Sequence, residues 1–163
     1  MIIKLKNKDK LIAGDFSFKC CIGKNGLNRN KKEGDGSTPL GIFKLGQLYW
    51  RQDRIRKPET KLKCKTINKN MKWCTDKNSK FYNKEFIKNT KIKHEKLYRK
   101  DYKYNALILI KYNYKKTIKG NGSAIFIHLT KNYKPTAGCV ALKENDFLVL
   151  AKIVNKNSKI MLI

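Results

Sequence analysis

The chain is 163 residues long, 40% hydrophobic and 10% aromatic, which suits one domain over 1–163 with a packed core and excludes wholesale disorder. Its 39 basic residues face only 12 acidic ones, a net charge of +27. No apolar run approaches the ~20 residues that cross a bilayer, so no transmembrane helix is expected. Lysine outnumbers arginine 34 to 5 and is spread over the whole length. Base-edge and bidentate phosphate recognition favour arginine, so nucleic acid is not the expected partner. Compositional drift, with Lys, Asn and Ile filling exposed positions, is the preferred account of the charge. A preference for anionic surfaces such as cell wall or nucleic acid is the competing one.

Short β-type runs dominate the chain. Residues 2–5, 16–22, 41–48, 106–112, 124–129 and 159–163 are rich in Ile, Phe, Tyr and Leu, and Gly, Asn or Pro bounds most of them. The run 106–110 is apolar at every position, which predicts a central strand covered on both faces. It is joined to 124–129 through 113–123, where Gly120-Asn121-Gly122 supplies positive-φ positions for a turn. The stretch 144–154 carries apolar residues at helical spacing, with Glu144 and Asp146 in its first turn. The middle, 51–99, is polar and gives no clear pattern. One mainly-β domain with one or two short helices is expected.

Five cysteines, Cys20, Cys21, Cys64, Cys74 and Cys139, are an odd number without regular spacing. No Cys-x-x-Cys pair exists and His94 and His128 stand far apart, so no metal is expected. One disulfide among the first four cysteines stays open at this stage, and at least one thiol is left over. His94, in Lys93-His94-Glu95-Lys96-Leu97, has half of a zinc-protease pattern but lacks the second histidine, since position 98 is Tyr. It reads as structural or substrate-facing.

The chemistry concentrates in one stretch. His128 ends the β-forming run Ile125-Phe126-Ile127, and the segment Thr136-Ala137-Gly138-Cys139-Val140-Ala141-Leu142 follows a single loop later. Neighbouring strands would bring both side chains together, where an imidazole can take a thiol proton and a nearby imidazolium can lower the thiol pKa. Gly138 permits close backbone approach to a ligand, and the amides of Gly138 and Cys139 would face a developing oxyanion. The plainer alternative is a buried cysteine and a hydrogen-bonded strand-end histidine. The spacing alone leaves both open.

The segment His128…Thr136-Ala137-Gly138-Cys139-Val140 resembles the signature of the YkuD-type L,D-transpeptidases. Gly34-Asp35-Gly36-Ser37-Thr38-Pro39-Leu40-Gly41-Ile42-Phe43 is similar to that family's Gly-Asp-Gly-x-Thr-Pro-x-Gly-x-Phe turn. Trp73-Cys74-Thr75-Asp76, Tyr82-Asn83 and Glu95-x-Leu97-Tyr98-Arg99-x-Asp101-x-x-Tyr104 resemble the middle of one branch. The chain departs from many members at Ala137 and Ala141, where they carry His and Arg. Papain-like and NlpC/P60 enzymes place Cys before His, and sortases need a downstream Arg, whereas no Arg follows Arg99 here.

The resemblance implies an L,D-transpeptidase-like β-sandwich or barrel and a two-step acyl transfer on peptidoglycan stem peptides. Cys139 is then the nucleophile and His128 the general base and acid, with a main-chain carbonyl, here that of Leu129, orienting the imidazole. Substrate contacts would come from Trp73, Tyr104 and Tyr133 as groove walls, with Arg99 and Thr136 beside them. Ordinary packing is an equal reading of those aromatics. No cofactor is implied, and a monomer is expected. Two rivals remain: a hydrolase of the same fold that passes the acyl group to water, and a basic nucleic-acid-binding module. The first residues alternate apolar and basic, without the continuous apolar stretch of a secretory signal. The substrate argues for the bacterial cell envelope or periplasm; a chain without a leader would be cytoplasmic.

Overall fold

The computed structural model describes residues 1–87 and 91–163. Strands β1 (Ile2–Lys6), β2 (Lys10–Ala13) and β3 (Phe16–Cys21) form an antiparallel meander. Two short strands, β4 (Leu27–Asn28) and β5 (Thr38–Pro39), pair in parallel across the glycine-rich loop. The long strand β6 (Gly41–Trp50) follows, with β7 (Cys64–Thr66) in parallel beside its end. A separate three-stranded sheet is built from β8 (Lys72–Cys74), β9 (Glu85–Phe86) and β10 (His94–Lys96). The chain returns to the main sheet as β11 (Ala106–Ile110), β12 (Phe126–Leu129) and β13 (Val140–Leu142). It then forms helix α1 (Glu144–Ile153) and ends in β14 (Lys159–Leu162).

The main sheet runs β11-β12-β13-β3-β2-β1-β14-β6-β7, and an additional β11–β6 pairing closes it into a barrel. Most pairs are antiparallel. β12–β13, β1–β14 and β6–β7 are parallel, and α1 connects β13 to β14. Alternation sets what faces the lumen: Ile3 and Leu5 of β1 are buried while Ile2, Lys4 and Lys6 are exposed. Phe147, Leu150 and Ala151 of α1 pack with these strands in one core, so the helix supplies apolar surface that the barrel alone lacks. Each such fully buried side chain contributes about 1.5–3 kcal/mol of transfer free energy.

β11 is buried on both faces, as its sequence predicted. Ala106, Ile108 and Ile110 join the barrel core, and Leu107 and Leu109 face a second core with Trp73, Phe126 and Cys139. That second core is what the polar middle of the chain builds. Trp73 packs edge-on against Phe126 and Tyr49, at centroid distances of 5.0 and 6.3 Å. The turn before β12 has the expected positive φ at Gly120 and Gly122, 85° and 96°. All five cysteines are free thiols.

Candidate active site

The glycine-rich loop between β4 and β5 is organised by one carboxylate. Asp35 accepts from Lys31 Nζ at 2.7 Å, the Lys32 amide at 2.8 Å, and the Ser37 amide and hydroxyl at 2.9 and 2.7 Å. Burial pushes this carboxyl up, yet these donors together hold it well below the usual carboxylate range. The loop so shaped wedges between Gly23 and Gly138. Thr38 Oγ1 accepts from the Gly23 amide and donates to the Gly138 carbonyl, both at 2.8 Å. A Cβ on Gly138, whose φ is +149°, would stand 2.6 Å from the Ser37 carbonyl oxygen. Glycine is therefore required here because the loop packs on it, a different reason from the ligand approach inferred from sequence.

This wedge fixes the segment that carries Cys139. Thr38→Val keeps the shape of a fully buried side chain but leaves the Gly23 amide and the Gly138 carbonyl without their partner. A loss of about 2–6 kcal/mol is expected in urea unfolding, from two buried groups at about 1–3 kcal/mol each. Turnover should fall with it, because the cysteine loop loses its anchor.

His128 sits opposite Ala141 in the parallel β12–β13 ladder, and Cys139 precedes Ala141 by two residues. Cys139 lies just before β13, and the imidazole and the thiol both border one cleft of about 540 Å³. His128 Nδ1 lies 2.9 Å from the Leu129 carbonyl. A carbonyl only accepts, so Nδ1 carries the proton and, in the neutral ring, Nε2 keeps its lone pair. Cys139 Sγ donates to the Ala124 carbonyl at 3.3 Å, accepts from the Phe126 amide at 3.4 Å, and has the Tyr104 hydroxyl within reach. Tyr104 in turn donates to Glu95, and its ring lies edge-on to His128 with centroids 5.4 Å apart.

Both titrating groups are held neutral. Burial, and after it the nearby Glu95 carboxylate, push the Cys139 thiol up to about 12, against the opposing pull of the Phe126 amide, Lys31 and Tyr104. Burial also takes His128 down to about 4; the Leu129 carbonyl works against this, and the charges of Lys103 and Arg99 assist it. The expected low thiol pKa is thus corrected. The site rests as thiol and imidazole, because a dry pocket with a carboxylate in it does not favour a thiolate.

The comparisons follow from this geometry. Residues 4–162 match the L,D-transpeptidase catalytic domain, YkuD. The chain belongs to the YkuD family. The helical cell shape determining protein Pgp2 from Campylobacter jejuni is similar in fold, with a TM-score of 0.50 and 19% identity. That alignment covers 98% of this chain and 46% of Pgp2, so the chain spans less than half the length of that structure. Bdellovibrio bacteriovorus Bd1075 aligns at a TM-score of 0.49 and 17% identity, over 99% of this chain and 47% of its own. No curated protein matches the chain.

Within this YkuD domain, the remaining sequence candidates divide. Tyr104, Arg99 and Thr136 line the cleft. Arg99 is held by Asp101, at 2.6 Å from Nη2, and stands 3.9 Å from Glu95. Thr136 Oγ1 donates to the Cys139 carbonyl at 2.6 Å and accepts from the Gly138 amide at 3.1 Å. Thr136 is therefore a brace of the cysteine loop. The Gly138 amide, taken from sequence as an oxyanion donor, is already engaged by that hydroxyl.

Two aromatic assignments are corrected. Trp73 does not wall a groove: it is fully buried in the second core, and its Nε1 donates to Asn83 Oδ1 at 2.9 Å. Tyr133 lies outside the cleft lining and is flanked by Lys19 and Lys143, with ammonium nitrogens 4.8 and 5.5 Å from its ring. His94 is structural, with Nδ1 2.7 Å from the Ile92 carbonyl and its ring edge-on to Phe86. The sequence reading missed Lys31, Glu33 and Glu95 as cleft residues. Two of them flank the Gly-Asp-Gly motif, the one signal that pointed there.

The His128 shift has a consequence for stability. Its folded pKa of about 4 lies below the ordinary 6.5, so between these values the unfolded chain binds more protons than the folded one. Stability from this group is complete above pH 6.5 and is lost as pH falls toward 4, by roughly 3 kcal/mol in total. Urea midpoints from pH 7 to pH 4 should fall accordingly. His128→Gln should flatten that part of the curve.

Proposed function

We propose that this chain is a cysteine L,D-transpeptidase acting on peptidoglycan stem peptides through a thioester. The observation that carries the reading is a His128 imidazole pinned at Nδ1 by the Leu129 carbonyl on the same cleft that Cys139 lines. A base held neutral down to about pH 4 is always in the form that takes a proton. Nε2 removes the Cys139 proton as Sγ attacks the carbonyl of the L-centre of the diamino acid in a tetrapeptide stem. The tetrahedral adduct collapses to a thioester and the imidazolium protonates the departing amine of D-alanine. A side-chain amine of a second stem then attacks the thioester, His128 takes its proton, and the thiolate leaves to be reprotonated, giving a 3→3 crosslink. The Cys139 amide is the oxyanion donor in this scheme. Such donors contribute about 3–4 kcal/mol when removed singly.

Coupling proton removal to attack suits a buried thiol near pKa 12 better than a standing thiolate does, since the charge develops only as it is delivered to the carbonyl. The substrate places the work in the bacterial cell envelope. The test is incubation with a purified disaccharide-tetrapeptide and chromatography of the products. Release of D-alanine together with a crosslinked dimer supports transfer. Release of D-alanine with free tripeptide alone assigns the hydrolase of the same fold, and no release contradicts the reading.

A further inference from the structure

We propose that Lys31 is the anion-recognition group of the cleft, taking the free carboxylate of the residue that leaves when Cys139 attacks; the identity of that residue rests on the stem-peptide reading above. Lys31 is one of the few lysines of this lysine-rich chain with its side chain inside, only 3% exposed. Its stem crosses two glycines with positive φ. A Cβ on Gly122 would stand 2.8 Å from Lys31 Cε, and one on Gly138 would stand 3.4 Å from Nζ. The first of these positions has room for the lysine only because it carries no side chain. The ammonium therefore lies over the residue adjoining the nucleophile, on the lining of the cleft.

Its bonding leaves capacity for a ligand. An ammonium has three donors. Asp35 takes one at 2.7 Å and the Lys32 carbonyl a weaker one at 3.5 Å. Asp35 is fixed by four further donors, so it holds the ammonium in place rather than following it. Arg99, Lys103 and Lys134 also line the cleft, and of these Arg99 is bound by Asp101. In a tetrapeptide stem, the terminal carboxylate is separated from the attacked carbonyl carbon by one nitrogen and one Cα, so its carbon lies within about 4 Å of the reacting centre. An ammonium beside Gly138, the residue before Cys139, stands next to where that carboxylate would be received. Glu33 and Glu95 border the same cleft, so without Lys31 an entering carboxylate would meet a more negative potential there. Lys31 would thus select stems that end in a free carboxylate next to the scissile bond.

The test uses two alkylating reagents of similar shape, anionic iodoacetate and neutral iodoacetamide. Rates are read at Cys139 alone by peptide mass spectrometry. Their ratio reports local charge and cancels changes in thiol exposure or ionisation. Lys31→Met should lower the iodoacetate-to-iodoacetamide ratio by about tenfold. Asp35→Asn, which removes the countercharge, should raise it severalfold, a direction that loosening of the loop would not give. An unchanged ratio in Lys31→Met overturns the proposal. Should that variant fail to fold by circular dichroism, an unchanged or lowered ratio in Asp35→Asn overturns it equally. Alkylation needs no stem peptide, so it is decided separately from the reading above. With tetrapeptides as substrate, wild type should prefer a C-terminal carboxylate to a carboxamide, and Lys31→Met should lose that preference. Turnover of neither peptide by wild type would sink the stem-peptide reading while leaving the alkylation result to decide the anion site.

Discussion

Cys139→Ala is expected to abolish D-alanine release from tetrapeptide stems, by at least ~10³-fold, and to abolish covalent adducts with a carbapenem. The fold should survive, because the thiol is a small side chain at the cleft edge of the second core. It leaves the Phe126 amide and Ala124 carbonyl short of one sulfur contact each. Cys139→Ser should be almost as inactive. A hydroxyl is far less acidic than a thiol, and a pocket that already disfavours the thiolate disfavours an alkoxide more. Intact-protein mass spectrometry with a carbapenem checks both variants at once. An adduct that persists in Cys139→Ala and vanishes in Cys74→Ala would move the nucleophile.

Trp73→Ala should cost about 3–5 kcal/mol of stability, the range for a large aromatic removed from a packed core. Three rings, those of Tyr49, Tyr114 and Phe126, pack on the indole. Its loss also leaves Asn83 Oδ1 with the Ala124 amide, 3.1 Å away, as its remaining donor. Ala124 has a positive φ of 54°, uncommon for a residue with a Cβ, and its carbonyl holds the Cys139 thiol. Damage at Trp73 therefore reaches Cys139 through Asn83 and the strained turn. Near the denaturation midpoint kcat should fall with the folded fraction, while KM stays close to wild type. A raised KM with unchanged stability would instead restore Trp73 to the groove wall.

The barrel strands were legible because alternation survives the lysine-rich composition: in Ile2-Ile3-Lys4-Leu5-Lys6 the inward positions are Ile3 and Leu5 whatever fills the rest. Helix α1 was legible from Phe147, Leu150 and Ala151 at helical spacing, and it runs to Ile153, one residue short of the expected end. Strand β2 was missed because Lys10-Leu11-Ile12-Ala13 is short and begins on a charge. The middle was opaque for a related reason. Its strands are two or three residues long, and Trp73, Met71 and Leu97 become a core only by meeting Leu107 and Phe126 of the barrel wall.

At the site, the meeting of His128 and Cys139 on one cleft followed from one loop between two β-forming runs. Contacts made across long separations were not readable. Thr38 meets Gly138 at a distance of 100 residues along the chain, and nothing local to either position announces the other. The direction of the thiol shift was also out of reach, since it depends on burial and on Glu95, which arrives from the separate sheet.

The central claim is an acyl-enzyme on Cys139 that His128 helps to form, and trapping that intermediate tests it most directly. The full chain is mixed with a disaccharide-tetrapeptide, quenched in acid within the first turnovers, digested, and mapped by mass spectrometry. The expected species is the stem peptide, less its terminal D-alanine, attached as a hydroxylamine-labile thioester to the peptide containing Cys139. That species should be absent in Cys139→Ala and should form at least ~10²-fold more slowly in His128→Ala. D-alanine release with no adduct, or with the adduct on Cys20, Cys21, Cys64 or Cys74, would contradict it.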